Sequence, residues 1–278
     1  MTTRLIKFYL AIIPLLVAAA GFGLGHISWT IYLPIWLIHT ILMLALLWYL
    51  GARVLAGKEE VPRQQAVMAL LLVLPWLFIS VFFGMGPPPA TIAAWVHTAT
   101  EQQARYGILM GCGILATGGF TLLREELKKR GERFYSTLGI AALLMAAPLF
   151  ILNMAYWGGF LTRSFSTFIN TIPDAPRPDW YKAMQGLFYS IGLVEVALIY
   201  LATAAFAAGL KKAGLFRSGP CRLYILFSLL GFVLSCLPSW LPEPFGSISY
   251  FVSIPAIPLV IPYLMGLNLL QRSNDLSS

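Results

Sequence analysis

Long apolar runs dominate this chain, and the stretches between them gather its prolines, glycines and charges. Eight runs stand out, at about 8–27, 31–51, 66–85, 106–123, 137–158, 185–210, 223–241 and 248–270. Roughly 20 residues at 1.5 Å rise per residue cross the hydrocarbon core of a bilayer, so each run predicts one membrane-spanning helix. The connecting stretches are short: GKEEVPRQQ at 57–65, GPPPAT at 86–91, REELKKRGER at 124–133, IPDAPRPDWYK at 172–182 and KKAGLFRSGPCR at 211–222. None is long enough to hold a soluble domain. The pattern predicts an all-α polytopic membrane protein, a bundle of eight transmembrane helices forming a single integral membrane domain over residues 1–278.

Orientation follows from the basic residues, which favour the cytoplasmic side. With the N-terminus and C-terminus both cytoplasmic, the inner side collects fifteen of the nineteen Lys and Arg residues, from Arg4 and Lys7 through the 124–133 cluster to Arg272. The outer side keeps Arg105, Arg163, Arg177 and Lys182. A miscount of one helix would scramble that split, so it supports the helix count too. Cleavage of a signal peptide after Ala18-Ala19-Ala20 is the competing reading, but the first apolar run is long for a signal.

Composition agrees with a lipid solvent. Hydrophobic residues make up 59% of the chain and charged ones 11%, against roughly 25% charged in soluble domains. The net charge of +8 is a topology signal and places basic cytoplasmic loops near anionic head groups. It is no nucleic-acid footprint. The chain has no Asn-x-Ser/Thr sequon, which fits a bacterial cytoplasmic (inner) membrane.

Glu195 is the first candidate for chemistry. It sits in IGLVEVALIY (191–200), and nine residues from the outer entry of its helix place it ~13 Å deep, near the midplane. Charge at that depth costs a few kcal/mol or more, so such residues usually face the bundle interior and mark ion or substrate paths. The competing reading is a protonated acid that hydrogen-bonds a neighbouring helix as packing glue. Its own face offers no partner, since Phe188, Gly192, Leu198, Ile199 and Ala202 are apolar. His39 lies ~12 Å deep by the same rise and is the expected partner by depth, as a proton relay or a ligand contact.

Asn153, close to the outer end of the fifth run, is a second ligand candidate, with Tyr156 and Trp157 expected beyond it as interface anchors. Pro255, Pro258 and Pro262 fall in one predicted helix. Each lacks an N–H and displaces a carbonyl four residues back, freeing the acceptors of Phe251, Ile254 and Pro258. Such a break either kinks against neighbours or lines a cavity. Glycines in GFGLG (21–25) and GILMG (107–111) have the spacing of close helix approach.

Several chemistries find no support. Only His26, His39 and His97 exist, too few at depth for bis-His haem, and Cys112, Cys221 and Cys236 stand far apart, so no metal is expected. EELKKR at 125–130 resembles the EExxxR motif of CAAX-type intramembrane proteases, but no histidine follows His97 to complete it. The last helix has no Schiff-base lysine, and no phosphate loop or nucleophile elbow occurs. Three functions remain open: a small transporter or ion/proton-coupled permeation protein; an anchor or accessory subunit for a partner subunit; or an intramembrane enzyme or protein binding a small lipophilic ligand. The sequence names no cofactor.

Overall fold

The structure, a computed structural model, describes residues 3–171, 179–237 and 241–277. In chain order the helices are α1 (Thr3–Leu24), α2 (Trp29–Leu50), α3 (Glu60–Ile79), α4 (Phe82–Met85), α5 (Ile92–His97), α6 (Ala99–Lys129), α7 (Phe134–Ala155), α8 (Thr162–Thr171), α9 (Asp179–Lys212), α10 (Ser218–Ser235), α11 (Phe245–Val252) and α12 (Val260–Ser277). Short 3-10 turns occupy Ala52–Ala56 and Ile257–Leu259, and a π-helical turn, Tyr156–Leu161, joins α7 to α8. No strand occurs among the described residues. Seven helices are long and apolar enough to cross a membrane, or eight if the broken pair Phe245–Val252 and Ile257–Leu276 is one span. The protein is an all-helical, multi-pass membrane protein whose apolar helix faces meet lipid.

Each predicted run is helical over most of its described length, and several helices extend past it. The run 106–123 becomes Ala99–Lys129, and 137–158 becomes a span reaching Phe168. Hydropathy marks only the part in hydrocarbon, whereas polar ends continue the helix. In α6 those ends carry Glu101 in the first turn and Lys128 and Lys129 in the last, charges that complement the helix dipole. The 172–178 part of the predicted outer loop, with Asp174 and Arg177, lies outside the described residues, as does 238–240.

The chain divides into two compact units, residues 1–90 with 262–278, and residues 91–261. In the first, α12 packs among α1, α2 and α3. The Tyr263 hydroxyl donates to the Leu10 carbonyl at 2.7 Å, and its ring tilts against Trp76. Gly51 lies against the Leu270 backbone and Gly266 against Ala69, where any side chain would collide. Lys7 donates to Gln271 at 2.9 Å, and Arg53 donates twice to Asn274. Trp36 donates to the Leu77 carbonyl and the Ser80 hydroxyl, satisfying backbone that water cannot reach in lipid.

The second unit is built on α7 and α9. Between α6 and α7 the chain turns at Gly131, whose φ of 81° suits a residue without Cβ. The Glu132 amide then donates to the Leu127 carbonyl, and the Gly131 amide to Lys128, the pairing of a Schellman cap. Glu132 itself is buried, and its carboxylate accepts the backbone amides of Tyr135 at 2.9 Å and Ser136 at 3.0 Å. It thus caps α7 while its other flank rests beside Gly209 of α9. Glu132→Ala should lower stability in detergent by about 1–3 kcal/mol, because a buried amide and a partly buried one lose their acceptor. Glu132→Gln should lose less; equal melting of all three proteins would refute the cap.

Close contact between α7 and α9 depends on glycine. A Cβ at Gly139 would meet the Phe206 ring at 2.8 Å and the Ala202 carbonyl at 3.3 Å. Phe206 is itself backed by Phe120, ring on ring at 4.7 Å. The glycines of the 107–111 pair behave otherwise, with nothing within 4 Å of a Cβ at either. Their spacing puts them on one helix face, but that face meets no neighbour among the described residues.

Candidate functional site

Glu195 is fully buried and lies midway along α9. Asn153, in the last turn of α7, is 3% exposed, and its Nδ2 donates to Glu195 Oε1 at 3.0 Å. The register is set from both sides. On α9, a Cβ at Gly192 would come within 3.0 Å of Asn153 Nδ2, so the glycine leaves the space the amide occupies. On α7, Asn153 lies two residues before the regular helix ends at Ala155 and the π turn begins. Such turns change which residues of a helix face its neighbour and recur at functional sites.

The surroundings are aromatic and dry. Phe188, two turns before Glu195 on the same face of α9, stacks on Tyr156 with centroids 3.9 Å apart and planes 2° apart. Tyr156 is 3% exposed and lies inside a continuous span, because the helix runs on through the π turn into α8. Beyond it, Trp95 stacks on Tyr106, meets Phe165 edge-on, and donates to the Thr162 hydroxyl at 2.9 Å. Gly158 admits Tyr106 against the π turn, where a Cβ would sit 2.6 Å from the tyrosine Cβ.

Three polar atoms in this region have no hydrogen-bond partner among the described residues: Glu195 Oε2, Asn153 Oδ1 and the Tyr156 hydroxyl. Each is buried. An unsatisfied buried polar group costs about 1–3 kcal/mol, more when charged, and the single Asn153–Glu195 bond leaves one acceptor on each side chain unused.

The other sequence candidates lie elsewhere. His39 is half-buried on α2, and its Nδ1 is 3.3 Å from the Tyr9 hydroxyl of α1. His39 and Glu195 therefore each have a hydrogen-bond partner within their own unit, and the structure joins Glu195 to Asn153. His26 lies between α1 and α2, and His97 closes α5. No group of three or more His, Cys, Asp or Glu that could hold a metal ion occurs among the described residues. Glu125 and Glu126 of the EELKKR stretch pair with Arg124, Lys128 and Arg130 along the last turns of α6.

The last span is broken over residues 253–256, at Pro255, while Pro258 lies in the 3-10 turn Ile257–Leu259 and Pro262 in the first turn of α12. The carbonyls of Phe251 and Ile254 are taken up by tight turns, from the Ile254 amide at 3.2 Å and the Ile257 amide at 2.9 Å. The Val252 carbonyl, left at the end of α11, accepts from the Tyr200 hydroxyl of α9 at 3.0 Å. Tyr200 reaches it across Gly231 of α10, where any Cβ would strike the tyrosine ring. Sequence reasoning missed Tyr200 and Glu132. The former reads as one more aromatic in a span, and the latter as one more charge in a charged loop.

Compared with known proteins, the chain matches no family model, no curated protein and no solved structure.

Proposed function

We propose that the chain is a small proton-coupled permeation protein in which Glu195 takes up and releases a proton within the membrane. The observation that carries this reading is the open Asn153–Glu195 pair: a carboxyl with no exposed surface, held by one hydrogen bond, with an oxygen on each partner left unused. Once the proton has left, two neighbouring oxygens lack a donor where no water can serve them, so the pair is satisfied in one protonation state and open in the other, as a proton-exchanging carboxyl requires. Intramembrane carboxylates are costly, and their usual return is an ion or proton path. Asn153 orients the carboxyl, and the aromatic layer of Tyr156 and Phe188 limits access to it. The basic connections face the cytoplasm of a bacterial cell in this reading, by the positive-inside rule.

The test is a flux measurement. Purified protein is reconstituted into liposomes that hold a trapped pH dye, mixed sodium, potassium and guanidinium chlorides, and a charge-compensating ionophore. An external acid pulse should collapse the pH gradient faster than in protein-free liposomes. Equal rates with correctly inserted protein would overturn the proposal.

A further inference from the structure

The unused atoms of the Asn153–Glu195 pair point to what it holds. A protonated glutamic acid has one O–H to donate, whereas an ionised one only accepts. With the proton on Oε2, a turned Asn153 amide would offer Oδ1 as its acceptor. That O–H···O bond and the existing Nδ2–H···Oε1 bond would close an acid–amide ring. Both unused oxygens would then be satisfied without a third group. With the proton gone, Oε2 and Oδ1 are two neighbouring acceptors facing no donor among the described residues.

Building on the proton-exchange reading, we propose that Asn153 and Glu195 form a site at which a proton and a monovalent nitrogen cation bearing at least two N–H bonds displace one another. Charge selects the class. The pair is neutral with a proton and neutral with a monovalent cation, so the buried site never carries an uncompensated charge. An anion would add to the carboxylate's charge, and a divalent cation would leave an excess. Ligand number argues the same way, because Ca²⁺ takes six to eight oxygens and Mg²⁺ six, against the two unused here. A guanidinium carries enough N–H donors to give one hydrogen bond to each of the two oxygens. In the exchange the Glu195 O–H bond breaks, the proton leaves to water, and two N–H donors replace it at Oε2 and Oδ1.

Glu195 is buried and takes its hydrogen bond from Asn153. Several titratable side chains on the elements around α9 have contacts of their own. Tyr156 of α7 lies in the Phe188 stack, and Tyr106 of α6 packs on Trp95. On α9 itself, Tyr200 is bonded to Val252. Cys112 of α6 and Tyr224 of α10 are buried, and Cys236 just past α10 is exposed.

Infrared difference spectroscopy tests the exchange on the purified full chain. The carboxylic-acid C=O band of Glu195 is identified by its absence in Glu195→Gln, and is followed while millimolar guanidinium chloride is added. Guanidinium should remove more than half of the band and release a matching amount of protons. Tetramethylammonium, which has no N–H, should leave the band unchanged at the same concentration. Asn153→Leu should keep the band but weaken the guanidinium response at least tenfold. A band that ignores guanidinium, or yields equally to tetramethylammonium, overturns the proposal, and that comparison needs no variant to fold. Proton flux that is lost in Glu195→Gln while guanidinium has no effect would sink this inference alone. Flux that survives Glu195→Gln would sink the proton-exchange reading beneath it.

Discussion

Glu195→Gln should reduce proton flux to the protein-free rate, a loss of a hundredfold or more, while leaving the protein folded. The substitution keeps the volume and removes the only titratable atom at the site. It also supplies a donor: the new amide N–H can reach Asn153 Oδ1 while the Asn153 amide still donates to the new carbonyl. Two hydrogen bonds then replace one, and an atom that had no partner gains one. Each such bond contributes about 0.5–1.5 kcal/mol, so the variant should melt at the wild-type temperature or a few degrees above it. This combination separates a working carboxyl from packing glue. A glue residue would show the stability gain with unchanged flux, and that outcome would remove Glu195 from the mechanism.

Gly139→Leu should be among the most damaging single changes to the second unit. Its Cβ alone would press on the Phe206 ring, which cannot retreat because Phe120 lies behind it, and on the Ala202 backbone. Inserting atoms into a packed interior costs about 1–3 kcal/mol and occasionally more; here a whole isobutyl group has no room, so the upper end or beyond is expected. The same pair of helices carries Asn153 and Glu195, so flux should fall with stability. Gly111→Ala is the control. Its site is open, and replacing glycine within a helix gains up to about 1 kcal/mol. Thermal unfolding in one detergent compares the three proteins, and a Gly139→Leu variant as stable as wild type would show that α7 and α9 are not packed as described.

The fold was legible because its main signal is one-dimensional. A run such as 31–51 needs no partner to declare itself, since lipid rather than another helix receives most of its side chains; only four residues of α2 are buried. Glu195 was legible for the same reason, as a charge that hydropathy does not tolerate. Its partner was not. Depth put His39 level with Glu195, but depth is a single coordinate, and contact also needs neighbouring helices and facing sides. What joins Asn153 to Glu195 is the α7–α9 pairing and the gap left by Gly192, and both are tertiary facts. The π turn, YWGGFL, carries no mark that separates it from an ordinary helix end, so hydropathy closes the run at 158 although the helix continues to Phe168 and buries Tyr156. The glycine spacings show the limit from the other side. Gly21 does approach the Phe82 carbonyl, whereas Gly107 and Gly111 approach nothing.

The division of the chain has a consequence for its synthesis. The first unit takes its last helix from residues 262–278, after the whole of the second has been made. At 5–20 residues per second, translating residues 91–261 takes on the order of 10–30 s. Throughout that interval α1, α2 and α3 sit in the bilayer without Tyr263 to bind the Leu10 carbonyl and without the Leu270 backbone against Gly51. The later-translated unit is the first whose residues are all present, and the earlier one must wait for α12. A nascent chain stalled before residue 262 should therefore expose the α1–α3 surfaces to protease or chaperone while α7 and α9 are already joined.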